Sequence, residues 1–121
     1  MASNPFNPEA FLRLAEELAR DDPTEARLRT AISRAYYALF HLAYSKVDLR
    51  SVGGNNLHDR VVKALRSTDR QAGELLDGLR RLRNVADYQL TPQDLADRNW
   101  PQNWSRSESI IRRLKRKLDW L

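Results

Sequence analysis

An arginine, two tyrosines and one of only two histidines in a 121-residue chain fall within nine consecutive residues, SRAYYALFH, Ser33 to His41. An imidazole can exchange a proton near neutral pH, and a guanidinium offers a planar donor fork that fits phosphate oxygens. At about 100° per residue, Arg34, Tyr37 and His41 share one side of a helix, where their spacings of three, four and seven let them touch. Leu28, Ile32, Ala35, Tyr36, Leu39 and Ala43 take the other side. The two tyrosines therefore have different expected roles. Tyr36 belongs to the core with its hydroxyl at the edge, and Tyr37 belongs to a polar face.

A second constellation lies in LRRLRNVADYQ. Arg80, Arg83, Asn84 and Asp87 occupy one flank beside an apolar stripe, with Arg83 and Asp87 at i and i+4, and Tyr88 points nearly opposite the stripe. Taken alone, such a charge pair is a surface salt bridge worth about 0.3–0.5 kcal/mol. Two long helices that each carry an arginine-centred polar face and an outward tyrosine point further, because outward tyrosines often mark interfaces.

His58 sits on the edge of an apolar stripe just after a helix cap, a position that suits a structural hydrogen bond. The two histidines lack metal-ligand spacing and an accompanying carboxylate cluster, so neither metal nor cofactor is expected. GGNN, Gly53 to Asn56, lacks the lysine and the preceding strand of a phosphate-binding loop and reads as a flexible turn. WPQNW, Trp100 to Trp104, could stack bases but is expected to pin a loop onto the body of the protein.

The elements that must position these residues are all helical. Asn7 as cap and Pro8 in the first turn predict a helix to about Asp21 that buries Phe11, Leu14, Ala15 and Leu18. Asp22, Pro23 and Glu25 predict a capping box that launches a second helix to about Val47. LHDRVVKAL gives a shorter helix with Leu57, Val61 and Leu65 in register. Asp69 caps a long helix to about Leu90, whose Ala72, Leu75, Leu76, Leu79, Leu82 and Ala86 alternate by three and four. TPQDLAD reads as a short turn of helix. A last helix from about Ser105 turns Ile110, Leu114, Leu118 and Leu121 inward and Arg112, Arg113, Lys115, Arg116 and Lys117 mostly outward. The helix dipole is a sufficient reason for several of those cations.

Composition sets the bounds. The length fits one domain, residues 1–121, and no cysteine means no disulfide framework and no thiolate chemistry. No apolar run approaches a membrane span, and the N-terminal stretch lacks a signal pattern, so a soluble, cytoplasmic protein is expected. Seventeen of the 21 basic residues are arginine and the net charge is +5, a balance compatible with phosphate-bearing partners.

SRAYYALFH, the histidine opening NLHDRVVKAL and the ending L..LR..ADY together resemble the HEPN superfamily, most closely its small stand-alone bacterial branch. The resemblance spans about Pro8 to Leu118. It implies an antiparallel helical bundle of four to five main helices that commonly dimerises, often beside a nucleotidyltransferase or in toxin–antitoxin and antiphage systems. Many HEPN proteins are metal-independent ribonucleases whose motif is an arginine, a polar residue and a histidine four to six residues after the arginine. Arg83 and Asn84 match the first two, but position 88 is Tyr88 and no histidine follows Arg83.

The expectation from the resemblance is thus a dimeric binding module without the family's usual ribonuclease activity. Arg34, Tyr37, His41, Arg80, Arg83, Asp87 and Tyr88 would meet a partner protein, RNA or a nucleotide. The alternative is a ribonuclease toxin in which Arg83, Asn84 and His41 form a non-standard catalytic site.

Overall fold

The computed structural model describes residues 7–89 and 98–121. The described residues form an all-α bundle of five helices: α1 Pro8–Leu18, α2 Glu25–Lys46, α3 Leu57–Thr68, α4 Arg70–Tyr88 and α5 Trp100–Trp120. The long α2 is the centre, packed against α1, α4 and α5, and α4 in turn packs against α3 and α5. The core follows from that arrangement. Ile32, Leu39, Leu65, Leu76, Leu79, Leu114 and Leu118 are all buried where these helices meet. The expected turn TPQDLAD and the end of the predicted fourth helix at Leu90 lie outside the described residues.

Capping residues set most helix starts. The Asn7 side chain accepts hydrogen bonds from the N–H groups of Glu9 and Ala10, at 3.0 and 3.3 Å. α1 stops earlier than its acidic tail suggested, because Asp21 and Asp22 adopt left-handed backbone angles, φ 58° and 55°. Aspartate tolerates that region better than branched residues do. Consequently Asp22 is not the cap of α2. Thr24 is, with its Oγ1 accepting from the Arg27 N–H at 3.2 Å. Glu25 is then the first helical residue and pairs with Arg29 at 3.0 Å instead of completing a capping box.

At the α3–α4 corner one residue serves both helices. The Asp69 N–H closes α3 on the Leu65 carbonyl at 2.7 Å, and its carboxylate accepts from the Ala72 N–H at 3.1 Å to open α4. Lys117 of α5 donates to the same carboxylate at 3.1 Å. The Ala72 N–H and then Lys117 hold the Asp69 carboxyl below the usual range. Here the helices approach so closely that a Cβ on Gly73 would lie 3.0 Å from the Arg66 backbone nitrogen and 3.1 Å from its Cα.

Several inward assignments are corrected by the packing. Leu14 is exposed and Leu12 is buried in its place, because α1 packs chiefly on α2 and its inward strip runs through Leu12 and Ala15. Leu57 is exposed as the first residue of α3, and Leu121 is exposed beyond the end of α5. Instead of pinning a loop, Trp100 and Trp104 are buried on the first turns of α5, which starts five residues before Ser105. Asn99 caps it by accepting from the Gln102 N–H at 3.1 Å, and Pro101 sits where an N–H has no helical partner to lose.

Three arginines satisfy backbone carbonyls that helix ends and loops leave open. Arg27 donates to the carbonyls of Glu17 and Leu18, closing α1 at 2.9 and 2.8 Å. Arg29 reaches across to the end of α4, donating to Ala86 at 2.8 Å, Val85 at 3.3 Å and Gln89, while its guanidinium stacks 4.7 Å from the Trp100 ring. Arg60 holds Leu49 and Val52 of the α2–α3 connection, both at 2.8 Å. No helix among the described residues is long and apolar enough to cross a membrane.

Candidate functional site

The α2–α4 seam brings Arg83 against three tyrosines. Its guanidinium carbon lies 4.7 Å from the Tyr36 ring centroid, 5.6 Å from Tyr37 and 5.5 Å from Tyr88. Nη1 also donates to the Tyr88 hydroxyl at 3.0 Å. Only 13 % of the arginine side chain is exposed, so its charge is largely withdrawn from solvent. A desolvated cation over aromatic faces gains about 2 kcal/mol, more than the same contact in water. Nε is buried without a hydrogen-bond partner among the described residues, which makes the ring faces the main compensation for that edge of the guanidinium.

Asp87 joins this cluster from the next turn of α4. Its Oδ2 is 3.9 Å from Arg83 and accepts from the Ser33 hydroxyl of α2 at 3.0 Å. Ser33 is buried, and it escaped the sequence reading. The signal was present: Ser33 stands four residues before Tyr37, one turn back on the same face.

Beneath Arg83 a buried hydrogen bond links the Tyr36 hydroxyl to His58 Nδ1 of α3. His58 stacks on Phe40 at 5.9 Å, and its Nε2 lies 3.7 Å from the Asp77 carboxylate. That carboxylate favours the tautomer with the proton on Nε2, leaving Nδ1 to accept from the phenol. Burial pushes the Tyr36 phenol above its ordinary pKa, partly offset by Arg83, so the donor proton stays in place. Burial and then the charge of Arg80 push His58 down to about 4, against the pull of Asp77 and Asp59. His58 is therefore a neutral structural histidine at physiological pH.

The remaining expected site residues divide among different neighbours. Arg34 extends over the Phe11 ring of α1 at 5.9 Å, whereas Tyr37 meets Arg83, so these two face different flanks of α2. Arg80 turns to α3 and pairs with Asp59 at 3.3 Å. Asn84 is half-buried on α4. His41 is exposed, with its ring edge-on to Phe40 at 5.6 Å. Arg83, Asp87, Tyr37 and Tyr88 do come together.

The cluster at Arg83 thus offers aromatic faces, phenol hydroxyls and a carboxylate side by side. Tyr37 and Tyr88 present the exposed rim of the cluster, with Tyr88 69 % exposed. Among the described residues no group of histidines, cysteines and carboxylates could hold a metal ion. Comparison with protein-family models, curated proteins and solved structures gave no match to this chain.

Proposed function

We propose that the chain is a HEPN-like binding module that works as a symmetric homodimer through the tyrosine face of α2 and α4, without ribonuclease activity. The observation that carries this reading is Arg83 clasped by Tyr36, Tyr37 and Tyr88. The partly buried guanidinium lies against two exposed aromatic rings within the single chain, which favours their orientation before any partner arrives. Rings held in this way lose little conformational entropy on association. His41 and Tyr44 continue the exposed strip of α2 at four and seven residues beyond Tyr37, giving an aromatic stripe of the kind enriched in interfaces. A two-fold axis through such a patch sets it against its own copy.

The reading as a non-enzyme rests on chemistry at Arg83. Cleavage through a 2′-hydroxyl needs a group that exchanges protons near neutral pH, and the residue at the position of the family's histidine is Tyr88. RNA incubated with the protein and a chelator is expected to remain intact, with His41→Ala making no difference. Fragments ending in a cyclic phosphate, lost in both His41→Ala and Arg83→Ala, would establish the ribonuclease instead.

A further inference from the structure

The arginines of the tyrosine face are consumed by rings, carbonyls and carboxylates, which directs attention to those that are not. Arg106, Arg112, Arg113 and Arg116 on α5 are all exposed, and none forms an ion pair among the described residues. Their neighbours behave differently. Lys115 is held by Glu9 and Asp119 at 3.0 and 3.1 Å, and Lys117 by Asp69 at 3.1 Å.

At about 100° per residue the four arginines occupy an arc of about 120° opposite the buried strip of Asn103, Ser107, Leu114 and Leu118. Ser105, Ser109, Gln102 and Trp120 share that arc and no carboxylate of α5 does, while Glu108 and, from α1, Glu16 border it beside Arg112. Asp119, also on its edge, is already tied to Lys115. The helix dipole accounts for cations in the last turn only, so it does not explain Arg106, Arg112 and Arg113. Trp120 is 86 % exposed, a large apolar surface left in water at the end of the same stripe.

We infer that this face of α5 binds single-stranded nucleic acid, with the arginines on successive phosphates and Trp120 stacked on a base. The stripe from Arg106 to Trp120 spans about 21 Å of helix, enough to follow a strand instead of gripping one anion. Complementary charge selects a polyanion, and the exposed indole selects one whose bases are unpaired. The site is separate from the tyrosine face and does not rest on the dimeric reading.

Fluorescence anisotropy with a labelled oligouridylate of about 16 nucleotides tests it. Binding is expected to weaken with salt, and Arg112→Ala/Arg113→Ala should reduce the slope of log affinity against log salt by about 1.4. Trp120→Ala should weaken binding about tenfold and leave that slope unchanged. Arg50→Ala/Arg70→Ala removes the same charge from exposed positions on other elements and should have a much smaller effect. Equal losses from both arginine pairs, or no binding at low salt, would overturn the inference. So would association of α5 with anionic phospholipid vesicles, lost in the same variants, without any binding of the oligonucleotide. All variants alter exposed side chains, so unchanged thermal melting certifies that each reading reports the surface.

Discussion

The guanidinium of Arg83 in α4 lies 4.7 Å from the ring centroid of Tyr36 in α2, joining a buried phenol to an exposed tyrosine rim. Arg83→Ala removes the cation from three rings and the donor from Tyr88, and should cost about 2–3 kcal/mol in urea unfolding. Arg83→Lys keeps the charge but lacks the planar fork, so it should recover only part of that loss. Equal stability of the alanine variant and the natural chain would mean that the rings need no cation.

Acid should loosen the α2–α3 seam before ordinary carboxylates titrate. His58 is held neutral down to about pH 4 when folded but takes up a proton near pH 6.5 when unfolded. The unfolded chain therefore binds more protons between those values, and stability falls as pH drops through that window, by up to about 3 kcal/mol. Asp69 acts in a lower window: its carboxyl is depressed when folded, so its contribution is present above the ordinary carboxylate pKa and is lost as pH falls further. Denaturant midpoints measured at pH 7, 6, 5 and 4 should show the first decline, and His58→Gln should flatten it. A flat profile in the natural protein would contradict a neutral buried His58.

Two glycines of α4 should respond in opposite directions to alanine. A Cβ at Gly73 meets the Arg66 backbone, and relieving that contact means moving α3, so Gly73→Ala should destabilise by about 1–3 kcal/mol. At Gly78 the nearest outside atom is Ile110 Cδ1 at an ordinary 3.7 Å. Gly78→Ala should stabilise by about 0.5–1 kcal/mol through helix propensity. Thermal melting of the two variants side by side checks both signs.

Arg29→Ala should destabilise the end of α4 by about 2 kcal/mol, since it removes donors from Val85, Ala86 and Gln89 and uncovers Trp100. Hydrogen exchange should quicken at the last turn of α4 more than at α3. Uniform quickening would show that Arg29 supports the whole bundle instead of that end.

Signals that act within one turn were legible in the sequence: Asn7 before Pro8, Asp69 before Ala72, and the three-and-four spacing from Ala72 to Ala86. The Thr24 cap is hidden in the sequence because Asp22 offers a similar cap two residues earlier, and only the left-handed turn through Asp21 and Asp22 selects the hydroxyl. Tyr88 stands five residues from Arg83, outside the usual helical pair spacing, and reaches it because α4 ends there. Longer partnerships were out of reach. Arg29 meets a carbonyl 57 positions away, and nothing local distinguishes it from a solvated arginine.

The dimeric reading of the tyrosine face is tested most directly by light scattering coupled to size exclusion across a concentration series. The account predicts twice the 14.1 kDa chain mass for the natural protein. Tyr37→Ala/Tyr88→Ala should shift dissociation by about tenfold or more while leaving the fold intact. A mass of 14.1 kDa at micromolar concentration, or a dimer indifferent to both tyrosines, would contradict it.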